Sequence, residues 1–310
     1  EDRKTRILNR WIKKLTGKED GVRKLLLKSS HAAVHIGGSV FVQHLDDWSG
    51  FYAMDEQLLR LSKNLFVIGA NFGPYTNLQY HEQYRQLFKG YRDICFRDSR
   101  SKEEFPEAAN IRWAPDVVFN YKEIPQVSVK KQVLFSVVDL KERGGKYPIS
   151  QYQDSYEGFL KNLAEVFLKK RYHVKFISFC HMQKDHEAAE RIQKKIPREF
   201  REDTELLSYD MNLEECLLAF AESEMIVGTR FHSIILGMMA EKRILPIIYD
   251  YKTRNMLEDF FEERGLELFE LENISAVQAA EKLEGSVPFS AEGIREKAAE
   301  QFMALDRMLQ

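Results

Sequence analysis

The sequence predicts an α/β protein with parallel sheets, on three observations. Short apolar runs end in glycine or polar residues, as at 31–36, 65–70 and 93–98. Segments of helical spacing separate such runs, for example 77–91. Polar and glycine clusters recur just after the runs. Apolar runs alternating with helices indicate parallel βαβ units.

The elements follow in order. After the three runs above, "APDVVFNY" (114–121) reads as a strand closing the first half. Residues 122–131 are polar and read as a linker. A second series opens with a strand at 132–138 and a helix around 151–170, whose apolar face carries Tyr156, Phe159, Leu160, Leu163, Val166 and Phe167. A strand at 173–179 and a helix at 185–196 come next. A helix at 212–223 has Asn212 as its expected cap. Strand "EMIVG", helix "FHSIILGMMAEK" and strand "ILPIIYD" follow, and helices at 252–264, 274–284 and 290–308 finish the chain. The expectation is two doubly wound Rossmann-like domains, 1–125 and 126–310, with the last helix packing back on the first. In such sheets ligands bind outside the carboxyl ends of the strands. Two of them would face each other across a cleft.

Composition sets limits. With 44% hydrophobic and 30% charged residues the chain can fill a core. A net charge of -2 gives no general pull toward nucleic acid or an anionic surface, so any anion needs a local cluster. Cys95, Cys180 and Cys216 have no metal-ligand or redox spacing and read as reduced thiols of a cytoplasmic protein. No apolar run approaches the roughly 18 residues that span a bilayer. Near the N-terminus, Ile7, Leu8, Trp11, Ile12 and Leu15 sit at helical spacing among six Lys and Arg. That segment reads as a helix packed on the domain, or as one lying on a membrane surface.

The densest cluster is "IVGTRFHS" (226–233). Gly228 permits a sharp strand-to-helix turn, and Thr229 is expected to cap the helix. A helix N-terminus presents N–H donors and a positive dipole end, which suit an anion. Arg230 adds a guanidinium matched to carboxylate or phosphate. His232 lies in the same turn. The helix end disfavours its charged form and a bound anion favours it, which suits a general acid. Lys252 follows the next strand and can reach the same rim. Asp139, after the strand at 132–138, and Asp185, at the start of its helix, each read as an acceptor contact or a base, with an N-cap the first reading for Asp185. Elsewhere, Gly37–Gly38, the Gly69–Pro74 loop with Asn71, and Arg97–Asp98 also follow strands.

In this order these stretches resemble the polysaccharide pyruvyl transferase family. Its second domain carries Gly-x-Arg-x-His after a strand, then Tyr-x-x-Lys; here these are Gly228, Arg230, His232 and Tyr249 to Lys252. Its first domain carries paired glycines, Gly-x-x-x-Gly-Pro and Arg-Asp-x-x-Ser; here Gly37–Gly38, Gly69 to Pro74, and Arg97, Asp98 and Ser101. "APDVVF" resembles the family's aspartate-containing strand. The match covers residues 32–260. The family opens with a strand and loop on the acceptor side, and no such element is found before residue 32.

The resemblance implies a GT-B-like fold and a cytoplasmic transferase, placed at the inner membrane face if its acceptor is lipid-linked. The donor would be phosphoenolpyruvate and the acceptor a sugar of an exopolysaccharide or its precursor. The product would be a ketal, with phosphate released. It implies no cofactor, no metal and no nucleic acid. Arg230, His232 and Lys252 would be catalytic, with His232 giving the proton. Arg97, Gly228, Thr229, Phe231 and these three would hold the donor. Gly37, Gly38, Asn71 and Asp139 would meet the acceptor. Two rival readings fit the same residues: a nucleotide-sugar glycosyltransferase using Arg230, Lys252 and Glu258, and a non-catalytic subunit of a polysaccharide assembly complex.

Overall fold

The computed structural model describes residues 21–141, 143, 147–260 and 265–310. The basic segment at 7–15 lies outside the described residues. The chain divides into two units, one running up to Val117 and resumed by Ala299–Gln310, the other Val118–Ala298.

The first unit opens with helix α1 (Gly21–Ser29). It then alternates β1 (Ala33–Phe41), α2 (Ser49–Leu61), β2 (Leu65–Phe72), α3 (Leu78–Phe88), β3 (Asp93–Phe96), α4 (Ser99–Glu103) and β4 (Ile111–Trp113). The four strands form a parallel sheet in that order. Strand β1 runs through Gly37 and Gly38 rather than ending before them. Both glycines have positive φ, 79° and 69°, and Gly38 still pairs with Ala70 before the register shifts. "APDVVFNY" is not a strand. The ladder stops at Trp113, and Val117–Asn120 form a 3-10 turn, since Pro115 has no N–H to give a neighbour. An aromatic core holds this unit, with Phe41, Phe72, Tyr80, Tyr84, Phe88, Phe96 and Phe105 buried together.

The second unit carries β5 (Lys130–Val137), α5 (Gln153–Lys169), β6 (His173–Ser178), α6 (Asp185–Lys195), β7 (Thr204–Ser208), α7 (Leu213–Glu222), β8 (Ser223–Gly228), α8 (Phe231–Met239), β9 (Arg243–Ile248), α9 (Tyr251–Phe260), β10 (Leu266–Glu267), α10 (Ala276–Gly285) and α11 (Glu292–Ala298). Its sheet is parallel, in the order β10-β9-β8-β5-β6-β7. Successive residues of β5 feed opposite cores: Val133, Phe135 and Val137 pack with α5 and α6, and Leu134 with α7 and α8. Burial on both faces is why these strands read as unbroken apolar runs.

Three local expectations change. Asn212 occupies the N-cap position of α7, but its side chain bonds Asp210 and Glu215 instead of capping. The final helix breaks after Ala298 into a 3-10 turn (Ala299–Phe302) and α12 (Met303–Leu309). The strand at 204–208 has no counterpart in the sequence reading. Cys95 and Cys216 are buried, and burial pushes their thiols up to about 12 and about 11; Cys180 is half-buried.

Candidate anion site at the strand ends of the second unit

Strands β5 and β8 are neighbours in space but not in sequence. Connections leave them in opposite directions across the sheet, which opens a crevice at their carboxyl ends. The residues after β5, β6, β8 and β9 therefore share one rim.

Glycine at 228 is required by space. A Cβ there would lie 2.9 Å from Ile234 Cγ1 and 3.3 Å from Ser233 Oγ, so α8 could not start so close to its strand. Thr229 does not cap α8. It is fully buried, and its hydroxyl accepts a bond of 2.9 Å from Tyr156. Arg230 is the N-cap residue, its backbone still extended, and Phe231 and His232 begin the helix. Phe231 is buried, whereas His232 is exposed and meets the Phe231 ring edge-on.

The Arg230 head is tied to the loop after β6. Its Nε donates to Asp185 Oδ2 at 2.8 Å, and its Nη2 donates to Asp185 Oδ1. Nη1 donates to Gln183 Oε1 at 2.6 Å. Burial works against the charge on Arg230, but Asp185 outweighs it and holds the guanidinium above its usual value. Asp185 is not the N-cap of α6. Lys184 takes that position, and Asp185 begins the helix with no exposed surface. Its carboxylate also accepts from Cys180 N at 3.1 Å and Asp139 N at 3.3 Å.

Two more cations complete the rim. Arg143, after β5, donates from Nη2 to the same Gln183 oxygen at 2.7 Å, and its guanidinium lies 4.9 Å from the centre of the Tyr249 ring. Lys252, after β9, holds Asp250 at 3.1 Å, with its ammonium 5.9 Å from the centres of the Tyr249 and Phe231 rings. Arg143, Arg230 and Lys252 thus gather around Tyr249 and Gln183. Among the described residues, Asp185 pairs with Arg230 and Asp250 with Lys252. Nothing in the sequence marks Arg143, which reads as part of a turn in "KERGGK".

Asp139 does not reach out to an acceptor. It is 1% exposed, and its carboxylate accepts from Arg191 Nη2 and from Lys141 N, both at 2.8 Å. Arg191 in turn holds Glu157 at 2.8 Å. Asp139 is therefore scaffolding behind Asp185.

In the first unit the strand ends are also knotted together. The sequence turns Arg97 toward a donor; the structure buries it at 3% exposure. Its Nη1 donates to Asp116 at 3.0 Å and its Nη2 to Asn71 Oδ1 at 2.7 Å. Asn71 also accepts from Ser39 at 3.0 Å and donates to Gly73 O at 2.9 Å. Arg97 and Asn71 are thereby spent inside the unit, and a ligand would have to displace these bonds. Asp98 caps α4 by accepting from Ser101 N. Gly37 and Gly38 remain open, with no atom within 4 Å of an added Cβ. Among the described residues no three His, Cys, Asp or Glu are grouped to hold a metal ion, and no helix is long and apolar enough to cross a membrane.

A parallel sheet that reverses its strand order beside a cationic rim defines an α/β protein with a candidate anion site. The chain belongs to the polysaccharide pyruvyl transferase family, whose pattern matches residues 1–251; it is a family of transferases. A search of curated proteins found no significant match. Among solved structures, a UDP-GlcNAc 2-epimerase from Neisseria meningitidis, bound to UDP-GlcNAc, aligns with 92% of this chain and 79% of its own, at 12% identity and TM-score 0.61. A putative UDP-N-acetylglucosamine 2-epimerase from Listeria monocytogenes aligns with 93% and 78%, at 10% identity and TM-score 0.55. These likenesses speak to fold alone and agree with the GT-B-like class. The chain spans 49% of TarM, a likeness with TM-score 0.43 that defines no shared fold.

Proposed function

We propose that this protein transfers the pyruvyl group of phosphoenolpyruvate onto two hydroxyls of a sugar in a polysaccharide or its lipid-linked precursor. The observation that carries the reading is the gathering of Arg143, Arg230 and Lys252 where the strand order reverses. Phosphoenolpyruvate has a phosphate and a carboxylate, so it needs more than one cationic grip. The rim offers two guanidiniums, one ammonium and the positive end of α8. Arg97 has no part in this scheme.

The chemistry follows from the donor. His232, exposed in the first turn of α8, gives a proton to the methylene carbon. Positive charge then develops on the adjacent carbon, which a sugar hydroxyl attacks. The C–O bond to phosphate breaks, a second hydroxyl closes the ketal, and the two hydroxyl protons pass to His232 and to phosphate. Arg143, Arg230 and Lys252 stabilise the charge gathering on the departing phosphate. The acceptor sugar belongs to this reading as well.

Calorimetric titration with phosphoenolpyruvate tests the scheme. The parent should bind, and Arg230→Ala should lose about 1.5–3 kcal/mol, the usual worth of a hydrogen bond to a charged group. His232→Ala should bind nearly as well yet release no phosphate in the presence of acceptor. A parent that ignores phosphoenolpyruvate but binds UDP-GlcNAc would overturn the reading in favour of a glycosyltransferase.

A further inference from the structure

Arg230 does not find its place from its own strand end. A guanidinium has five N–H donors. Asp185 takes two of Arg230's, one on Nε and one on Nη2, and Gln183 takes one on Nη1. These three bonds leave one N–H on each terminal nitrogen for a ligand.

The carboxylate behind this guanidinium is itself immobilised. Oδ1 of Asp185 accepts from Arg230 and Asp139 N, and Oδ2 from Arg230 and Cys180 N, with no exposed surface. Four bonds fix one side chain in one rotamer. Gln183 has a different task. Its single amide oxygen accepts from Arg143 at 2.7 Å and Arg230 at 2.6 Å, which holds two like charges at one fixed separation. Two guanidiniums held on one neutral oxygen repel each other, and a dianion bound to both relieves that repulsion.

A buried carboxylate beside an anion site opposes the anion by charge. Its presence calls for a gain elsewhere, and geometry supplies one. We propose that Asp185 and Gln183 are positioning residues for the phosphoryl group of the donor: Asp185 sets the direction of Arg230, and Gln183 sets the gap between Arg230 and Arg143. The inference rests on the donor reading above, but its test separates from it.

The test uses opposite signs. Asp185→Asn keeps shape and removes one negative charge. If charge alone mattered, the variant would bind phosphoenolpyruvate and inorganic phosphate more tightly. Positioning requires the reverse, a loss of about tenfold for both anions, with KM for phosphoenolpyruvate rising more than kcat falls. Gln183 is exposed at the end of a 3-10 turn (His181–Gln183), and Gln183→Leu alters no charge, so it should leave the unfolding midpoint in place while weakening both anions several-fold. It decides the matter if Asp185→Asn does not fold. Equal or tighter binding by either folded variant overturns the proposal, as does a parent that binds neither anion. If the parent binds phosphate but not phosphoenolpyruvate, the donor reading falls; weaker phosphate binding by the variants would still support the positioning role.

Discussion

Asp250 holds two residues of the first turn of α9 with one carboxylate. Oδ1 accepts from the backbone and hydroxyl of Thr253, at 2.9 and 2.6 Å, and fastens the start of α9. Oδ2 holds Lys252 at 3.1 Å. Burial would raise this carboxyl, but Lys252 and Thr253 outweigh it and hold it below its ordinary value of 3.8. A carboxyl depressed in the folded state stabilises the fold above its unfolded value. That contribution disappears as pH falls through the depressed native value. Asp250→Asn keeps an acceptor for Thr253 and loses the charge. It should cost about 1 kcal/mol at pH 7 and flatten the fall in stability below about pH 4. Urea unfolding across pH 2–7 (about that span suffices) checks it, and an unchanged acid limb would assign the acid sensitivity to other carboxylates.

Elements meet the site through close approach, as β8 does with α8. Gly228→Ala would force Ile234 or the helix start to move, at about 1–3 kcal/mol. It should also weaken phosphoenolpyruvate binding, because Arg230 and His232 ride on that start. Gly158 in α5 is the contrast: a Cβ there meets nothing within 4 Å. Gly158→Ala should raise stability by about 0.5–1 kcal/mol and leave binding alone. Denaturant midpoints and calorimetry on both variants measure the difference. The same elements show what the sequence made legible. Buried runs such as 132–138 announce themselves because both faces are apolar, and "GTRFH" announces a polar strand end. The strand Thr204–Ser208 is short, lies at a sheet edge and keeps only Leu207 buried, so it gives no such run. The pairing of Arg230 with Asp185 spans 45 residues and that of Arg191 with Asp139 spans 52. No local spacing encodes contacts of that length. For that reason Asp139 and Arg97 looked like presented groups, although the fold spends them internally.

Across the whole molecule, the first unit depends on a segment far from it in sequence. Gln301 is 1% exposed and ties β2 to the end of β3 and to the segment after β4. Its Oε1 accepts from Gly69 N at 2.9 Å, and its Nε2 donates to Phe96 O, Ala114 O and Pro115 O at 3.0, 2.6 and 3.1 Å. Arg112 adds bonds to the backbone oxygens of Glu300 and Gln301. Gln301→Ala removes the side-chain partner of the Gly69 N–H and of the Ala114 and Pro115 carbonyls, while Phe96 O keeps its bond from Ala114 N, and should destabilise this unit by about 2–3 kcal/mol. Hydrogen exchange would show protection lost at β2 and β3 and kept at β5 to β9; uniform loss over both sheets would refute the assignment.

That tie also sets an order of events on the ribosome. The strands of the first unit emerge early, but Gln301 emerges after all of Val118–Ala298. Until then the Gly69 N–H and the carbonyls of Ala114 and Pro115 lack the Gln301 amide as a partner. The intervening unit has its whole sequence available sooner and can close first. Nascent chains usually mature from the N-terminal side onward; here the part begun first is the part completed last.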